Sequence, residues 1–170
     1  MIRSLDGNKP KIHPSVFVSE AAYIVGDVEI GEGSSIWPGA VIRGDYGKII
    51  IGKNCSIQDN CVLHTDDYLE LGDNVLMTHG AVIHGGTIGN NVLIGMNATV
   101  LDGATVGEGS IVAAGAVVLE GVEVPENTLV AGIPAREIRK TTPADYKRIM
   151  SGSEEYVQYS ELFKKESRIL

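Results

Sequence analysis

The chain has 170 residues, of which 44% are hydrophobic and 21% charged, and a formal net charge of −8. This balance is typical of one folded domain with an appended element, and the acidic charge argues against nucleic acid, whose phosphates attract basic patches. No apolar run approaches the ~20 residues of a membrane span, and residues 1–12 lack the apolar stretch of a signal peptide. We therefore expect a cytoplasmic protein that binds neither nucleic acid nor membrane.

An aliphatic residue recurs with a period of six from Ile12 to Val130. None of the 20 lead positions is polar: Ile12, Val18, Ile24, Ile30, Ile36, Ile42, Ile51, Ile57, Leu63, Leu71, Met77, Ile83, Ile88, Ile94, Val100, Val106, Val112, Val118, Val124 and Val130. Neither a helical period nor plain alternation gives a strict six. The pattern resembles the hexapeptide repeat of left-handed parallel β-helices, in which three hexads make one triangular coil. We therefore predict an all-β fold of this kind, with a C-terminal α-helix.

Small residues usually stand four positions after the lead, and we expect both sets to point inward: Ala22, Ser34, Ala40, Cys55, Cys61, Ala81, Ala98, Ala104, Ser110 and Ala116. Cys55 and Cys61 occupy this slot, which predicts buried free thiols and no disulfide. Glycine often follows the lead directly, and we expect it to allow the corner conformations: Gly31, Gly52, Gly72, Gly89, Gly95 and Gly107.

The period breaks in three places. Three extra residues separate Ile42 from Ile51, two extra separate Leu63 from Leu71, and one is missing between Ile83 and Ile88. Breaks in a solenoid indicate loops or altered corners on one side, where binding residues often lie.

The segment after Val130 leaves the coil, which divides the chain into a β-helix over 1–140 and a helical segment over 141–170. Thr142, proline at 143 and Asp145 predict the start of a helix. Ser151–Gly152 predicts an interruption, after which 153–167 would form an amphipathic helix. We expect this helix to pack along the β-helix or a neighbouring subunit.

Three of the four histidines cluster on adjacent coils when hexads are stacked in threes. Arg43, His64 and His84 each follow a lead residue, so they form one column on one wall. Adjacent coils lie ~4.8 Å apart, and two imidazoles at that spacing can converge on one ion. The alternative for any lone histidine is an ordinary surface or core position, which is how we interpret His13.

His79 belongs to the preceding wall, directly above Asp59. A threefold assembly that apposes these walls would bring His79 of one chain to His64 and His84 of the next. Three nitrogen ligands with one open position are typical of catalytic rather than structural zinc.

At these residues the chain resembles the γ-class carbonic anhydrases, over about residues 10 to 140. The segments that carry the resemblance are 43–45 (RGD), 54–60 (NCSIQDN), 62–64 (VLH), 79–85 (HGAVIHG) and 94–96 (IGM). The resemblance implies a homotrimer that reversibly hydrates carbon dioxide to bicarbonate, with Zn²⁺, or else Fe²⁺, Co²⁺ or Ni²⁺. The ligands that it implies are His64, His79 and His84.

The resemblance also implies roles for four neighbouring residues. Gln58 would orient the metal-bound hydroxide, and Arg43 would pair with Asp59 across the subunit interface, supported by Asp45. The alternative for Arg43 and Asp59 is a purely structural salt bridge.

The chain departs from the best-characterised type of this family in its proton-export residues. Tyr46 stands where that type has a glutamate after the Arg-Gly-Asp motif, and the acidic loop with a shuttle glutamate is missing. Asp66 or Asp67 is one substitute. In a subgroup without the loop, a tyrosine of the C-terminal helix lies near the metal, and Tyr156 or Tyr159 is the candidate here.

Two other functions fit the repeat. Many hexapeptide-repeat proteins are acyltransferases that use coenzyme A and a single histidine as general base, and the tail GIPAREIRK resembles theirs. A non-catalytic scaffold or binding protein could keep the metal as a staple between subunits. The same activated hydroxide could also hydrolyse a thioester.

Overall fold

The computed structural model describes residues 1–166 and consists of short strands followed by one α-helix. The strands in chain order are β1 (Ile2–Arg3), β2 (Lys11–Ile12), β3 (Phe17–Val18), β4 (Tyr23–Ile30), β5 (Ser35–Ile36), β6 (Val41–Ile51), β7 (Ser56–Ile57), β8 (Val62–Leu71), β9 (Leu76–Met77), β10 (Val82–Ile88), β11 (Leu93–Ile94), β12 (Thr99–Val100), β13 (Thr105–Val106), β14 (Ile111–Val112), β15 (Val117–Val118), β16 (Glu123–Val124), β17 (Thr128–Ala131) and β18 (Arg136–Lys140). The helix is α1 (Pro143–Glu166).

Parallel pairing stacks these strands into a three-walled β-helix, as predicted. Val41 pairs with Val62 and Val62 with Val82, each one coil later. We name the walls by their lead residues. The first wall contains Ile24, Ile42, Leu63, Ile83, Val100 and Val118; the second contains Ile12, Ile30, Ile51, Leu71, Ile88, Val106 and Val124; the third contains Val18, Ile36, Ile57, Met77, Ile94, Val112 and Val130. Eighteen of these 20 side chains are buried, and Ile12 and Val18 are partly buried.

The small inward positions complete the core. Cys55 and Cys61 are free and buried there, as predicted. Burial raises the pKa of the Cys55 thiol to about 12 and that of Cys61 to about 11. Both thiols are therefore protonated at neutral pH and act as small apolar side chains.

The corner conformation belongs to the third residue after the lead, which is asparagine or glycine with a positive φ: Gly33, Gly39, Asn54, Asn60, Asn74, Gly80, Asn91, Asn97, Gly103, Gly109, Gly115, Gly121 and Asn127. The glycines directly after the lead do not adopt it, so the prediction that they set the corners is wrong. They are needed because successive coils approach closely at that point. A Cβ at Gly95 would lie 2.4 Å from the backbone nitrogen of Ala114.

The breaks in the period are altered corners made of extended chain rather than separate loops. β6, β8 and β10 continue from the first wall into the second and stay paired, with shifts of register just beyond Arg43 and His84. His64 pairs with His84, and Leu69 pairs with Gly86. The four residues 65–68 of β8 therefore face a single residue of β10 and bulge outward at the corner.

One additional strand lies at each end of the β-helix. At the N-terminal end, β1 pairs with β4, and the terminal amine of Met1 donates a hydrogen bond to the carbonyl of Ala22. At the other end, β18 folds back antiparallel onto β17.

α1 begins at the predicted cap. The Asp145 amide donates to Thr142 Oγ1 at 3.2 Å, and the Thr142 amide donates to Asp145 Oδ2 at 2.8 Å. The helix then continues unbroken through Ser151–Gly152, so the predicted interruption is wrong. A Cβ at Gly152 would lie 2.8 Å from Leu76 Cδ1. The stabilisation that α1 gains by packing closely on the β-helix at Gly152 thus outweighs the ~1 kcal/mol that glycine costs inside a helix.

The helix lies along the third wall beside β3, β5, β7 and β9. Trp37 is the centre of this contact, since the rings of Phe17, Tyr156 and Phe163 have centroids 5.1–5.4 Å from its own. Residues 167–170, at the end of the predicted helical segment, lie outside the described residues. Within residues 1–166, no helix has the length and apolarity that crossing a membrane requires.

The glycines directly after the lead residues and the glycines at the corners should differ in how much stability a substitution costs. We expect Gly95→Ala to lower the free energy of unfolding by about 1–3 kcal/mol or more, because the coils must move apart. Gly115→Asn should change it by less than about 1 kcal/mol, since asparagine already adopts this conformation at Asn97 and a Cβ at Gly115 meets nothing within 4 Å. Denaturant unfolding of the metal-free chains measures both, and equal losses would contradict the assignment.

Candidate metal centre

His64 and His84 meet at the corner between the first and second walls. They pair in register across β8 and β10, as the count of hexads predicts, and Arg43 is the next member of the column. The Nδ1 atom of His64 lies 2.9 Å from the Nε2 atom of His84. Only 9% of the His64 side chain is exposed, compared with 32% of the His84 side chain, so water reaches this pair mainly from the side of His84.

A carboxylate contacts the outer nitrogen of each imidazole. His64 Nε2 lies 2.9 Å from Asp45 Oδ1, and His84 Nδ1 lies 2.7 Å from Asp102 Oδ1. A carboxylate oxygen beside a ring nitrogen favours the tautomer that carries its proton on that outer nitrogen. The inner nitrogens then face each other with lone pairs, an arrangement that a cation between them would stabilise.

Asp45 stays ionised at neutral pH. Burial raises the pKa of this carboxyl, but hydrogen bonds from Arg43, the backbone and His64 outweigh it and hold the pKa below its ordinary value. Arg43 forms an ion pair with Asp45. Arg43 thus contacts His64 through Asp45 within one chain.

The facing nitrogens suit a divalent transition ion. Bonds of ~2.0–2.1 Å in a tetrahedral arrangement put two nitrogen ligands about 3.3 Å apart, close to the observed 2.9 Å. Donor atoms of His64, Asp66 and His84 all lie within 4.8 Å of one another. The donor set of this corner, two neutral imidazoles and one carboxylate, is one that zinc and iron(II) sites use.

His79 lies at the opposite edge of the first wall, where the third wall ends. Its Nδ1 atom is 2.9 Å from Asp59 Oδ2 one coil below, which leaves Nε2 as the available ligand atom. Gln58, only 3% exposed, precedes Asp59. His79 is not part of the His64–Asp66–His84 group within residues 1–166. One chain therefore presents two half-sites, one on each edge of the same wall.

The two predicted tyrosines lie on the side of His79. The ring of Tyr156 packs on Trp37, and its centroid is 6.4 Å from that of Tyr159, which is exposed. Burial, followed by the negative charge of Asp59, raises the pKa of the Tyr156 hydroxyl. Tyr46 lies at the other half-site, with its ring centroid 6.4 Å from that of His64.

Asp102 is the site residue that the sequence analysis missed. It lies in the coil above His84, two positions after the lead Val100. The sequence signal that could have indicated it is its own acidic character, since it lies between Leu101 and Gly103 on a wall whose outward positions are mostly apolar.

Known proteins share the repeat and most of the length of the chain. The bacterial transferase hexapeptide family (six repeats) matches residues 9–44 and 85–120. A protein of Methanocaldococcus jannaschii named probable carbonic anhydrase is 57% identical over 88% of this chain and 96% of its own length. Gamma carbonic anhydrase 2 of Arabidopsis thaliana is 37% identical over 93% of this chain and 60% of its own.

A solved structure agrees in shape over nearly the whole chain. It is a Bacillus cereus protein provisionally described as an acetyltransferase, 40% identical, with a TM-score of 0.95 over 98% of both chains. Identity and coverage together, above all to the Methanocaldococcus protein, show that this chain belongs to the γ-class carbonic anhydrase family of hexapeptide-repeat proteins.

Proposed function

We propose that the protein reversibly hydrates carbon dioxide, with a divalent ion held by His64 and His84 of one protomer and His79 of the next in a homotrimer. One observation carries the proposal. The facing nitrogens of His64 and His84 are 2.9 Å apart, and a carboxylate contacts the far side of each ring. The carbonic anhydrase names of two relatives support the choice of reaction.

The outer surface of the first wall supports the trimer. Its outward column is half-buried and almost wholly apolar: Tyr23, Val41, Val62, Val82, Thr99 and Val117. The second wall presents a mostly polar column instead: Lys11, Glu29, Ile50, Glu70, Thr87, Thr105 and Glu123. α1 covers the lower coils of the third wall. The first wall is thus the apolar surface left for a second copy, and the half-sites flank it.

The chain's residues prepare the ligands and the substrate site. A bound divalent ion lowers the pKa of water to about 7, which makes hydroxide available at neutral pH. Asp45, Asp102 and Asp59 fix which nitrogen of each imidazole carries the proton. Gln58 orients the attacking oxygen, and apolar neighbours in the same columns, such as Leu101 above His84, exclude competing water.

Proton export uses the tyrosines beside His79. The raised pKa of Tyr156 keeps its hydroxyl protonated at neutral pH, so it acts as a relay that releases its own proton as it accepts another, and not as a resting base. Tyr159 is exposed and connects that position with bulk solvent. Arg43 of one protomer faces Asp59 of the next when the two edges meet, which sets the register of the interface.

Acyl transfer from coenzyme A is the second candidate, because the Bacillus cereus structure is described as an acetyltransferase. A general base needs an imidazole nitrogen free to accept a proton from the substrate. Both nitrogens of His64 already face His84 and Asp45, and His84 Nδ1 faces Asp102. At His64 and His84 this arrangement favours a metal over a lone base. Acyl transfer would have to use His79 instead, whose Nδ1 faces Asp59 and whose Nε2 is the available nitrogen.

We expect the purified, metallated protein to hydrate carbon dioxide and His64→Ala to reduce the rate to background, since it removes one ligand. Stopped flow with a pH indicator, together with elemental analysis, measures both. His13→Ala is the matched control and should leave the rate unchanged. A metallated trimer without hydration activity, even with iron or cobalt and added proton-carrying buffer, would rule out this reaction. Metal-independent acetyl-CoA turnover would favour the second candidate.

A charge in the apolar column should break the trimer. Val62→Lys places an ammonium group between Val41 and Val82, where burial against another copy is costly. Ile50→Lys, on the second wall between Glu29 and Glu70, is the matched control. We expect sedimentation velocity to give monomers for Val62→Lys and trimers for Ile50→Lys. Trimers in both variants would place the interface elsewhere.

The carboxylate behind His84 should matter for metal affinity. Asp102→Asn weakens the hydrogen bond that fixes the imidazole, and losses of such partners cost about 10–100-fold in affinity. Glu123→Gln makes the same charge change at an exposed position of the second wall. Competition with a chromophoric chelator measures the zinc affinity of both variants. Equal affinities would show that Asp102 does not support the metal site.

A further inference from the structure

We propose that each chain alone carries a three-ligand metal site made of His64, His84 and Asp66, so that the ion binds before subunits assemble. Assembly then exchanges the Asp66 carboxylate for the partner's His79. The inference deepens the proposed function and rests on it for the final ligand set. Its own basis is the single chain, in which donor atoms of His64, Asp66 and His84 lie within 4.8 Å of one another.

The bulge in β8 brings Asp66 to this position. Residues 65–68 stand opposite Gly85 alone, so they turn outward beside the two imidazoles. The Thr65 side chain is buried, and its Oγ1 accepts a hydrogen bond from the Asp67 amide at 3.1 Å, which fixes the turn around Asp66. Gly85 leaves this space open, because a Cβ there would come 3.1 Å from Asp102 Oδ1 and 3.4 Å from Thr65 Oγ1.

Two imidazoles and one carboxylate form a working ligand set. Zinc enzymes use two histidines with a glutamate, and iron(II) enzymes use two histidines with one carboxylate. Asp45 and Asp102 already hold both rings in place, so binding an ion to them costs little conformational freedom. Asp66 is exposed and must be ordered, which makes the single-chain site the weaker of the two.

The exchange follows from the position of His79. Its Nδ1 atom faces Asp59, which leaves Nε2 as the atom that can bind an ion, and the residue lies on the edge of the first wall opposite Asp66. When the first walls of two chains meet, that imidazole arrives at an ion already held from the other side. A neutral ligand replaces an anionic one, which raises the Lewis acidity of the ion. Asp66 acts in loading, and His79 completes the mature site.

A double-mutant comparison tests the proposal on the full-length chain. The proteins are wild type, His79→Ala, Asp66→Asn and the double variant, with Asp67→Asn as the matched control one residue away. Zinc affinity is measured by chelator competition, and the ligand field by the absorption of bound Co²⁺. We expect His79→Ala to keep one ion per chain at lower affinity, with a changed Co²⁺ spectrum.

Asp66→Asn alone should shift the zinc affinity by less than about threefold, since His79 occupies the third position, whereas in the His79→Ala background it should cost about tenfold or more. Asp67→Asn should have little effect in either background. A His79→Ala chain that binds no ion, or a double variant that binds as tightly as His79→Ala, would overturn the proposal. If wild type is metallated but does not hydrate carbon dioxide while His79→Ala still binds its ion through Asp66, only the proposed reaction fails.

Discussion

Stacking of equivalent residues at one coil spacing is the constraint on which the rest of this structure depends. Because each strand pairs with its equivalent one coil later, a side chain's neighbours are set by its place in the hexad. The lead positions therefore fill a continuous apolar core. The same rule brings the two imidazoles of the first column within 2.9 Å of each other. The same strand pairing therefore positions both the core and the candidate metal centre.

The candidate metal centre lies where this rule is relaxed. An unbroken hexad repeat gives each corner the same short turn, which has no room for side chains that converge on an ion. At the corner of β6, β8 and β10 the register shifts. Asp45 and Asp66 reach the imidazoles from the coils of β6 and β8, and Asp102 reaches His84 from the coil above it. Pairing resumes beyond the corner, so the neighbouring core is undisturbed.

Much of this arrangement could be predicted from the sequence, because a strict period converts residue numbers into positions. The core, the buried thiols and the column of Arg43, His64 and His84 follow from counting. The continuity of α1 does not, because it depends on the packing of Gly152 against Leu76, which is 76 positions earlier in the chain.

The role of Asp102 depends similarly on where an altered corner directs a side chain. The hexad predicts the coil of this residue but not the contact with His84. The glycines after the lead residues were correctly singled out for the wrong reason, since close approach of coils and left-handed corners both favour glycine. The period therefore predicts which residues stack on one another, but it does not predict whether a glycine is needed for a left-handed corner or for the close approach of two coils.

The last strand of the third wall limits how the β-helix could be extended. An open end of a parallel solenoid would offer unpaired backbone groups to another molecule and could extend as a fibre. Here β18 runs against the direction of the coil and carries the cationic Arg136, Arg139 and Lys140, while the Met1 amine occupies the opposite end. A further coil therefore could not continue the parallel pairing of the third wall beyond β18, because this strand runs antiparallel to β17 and carries three cations.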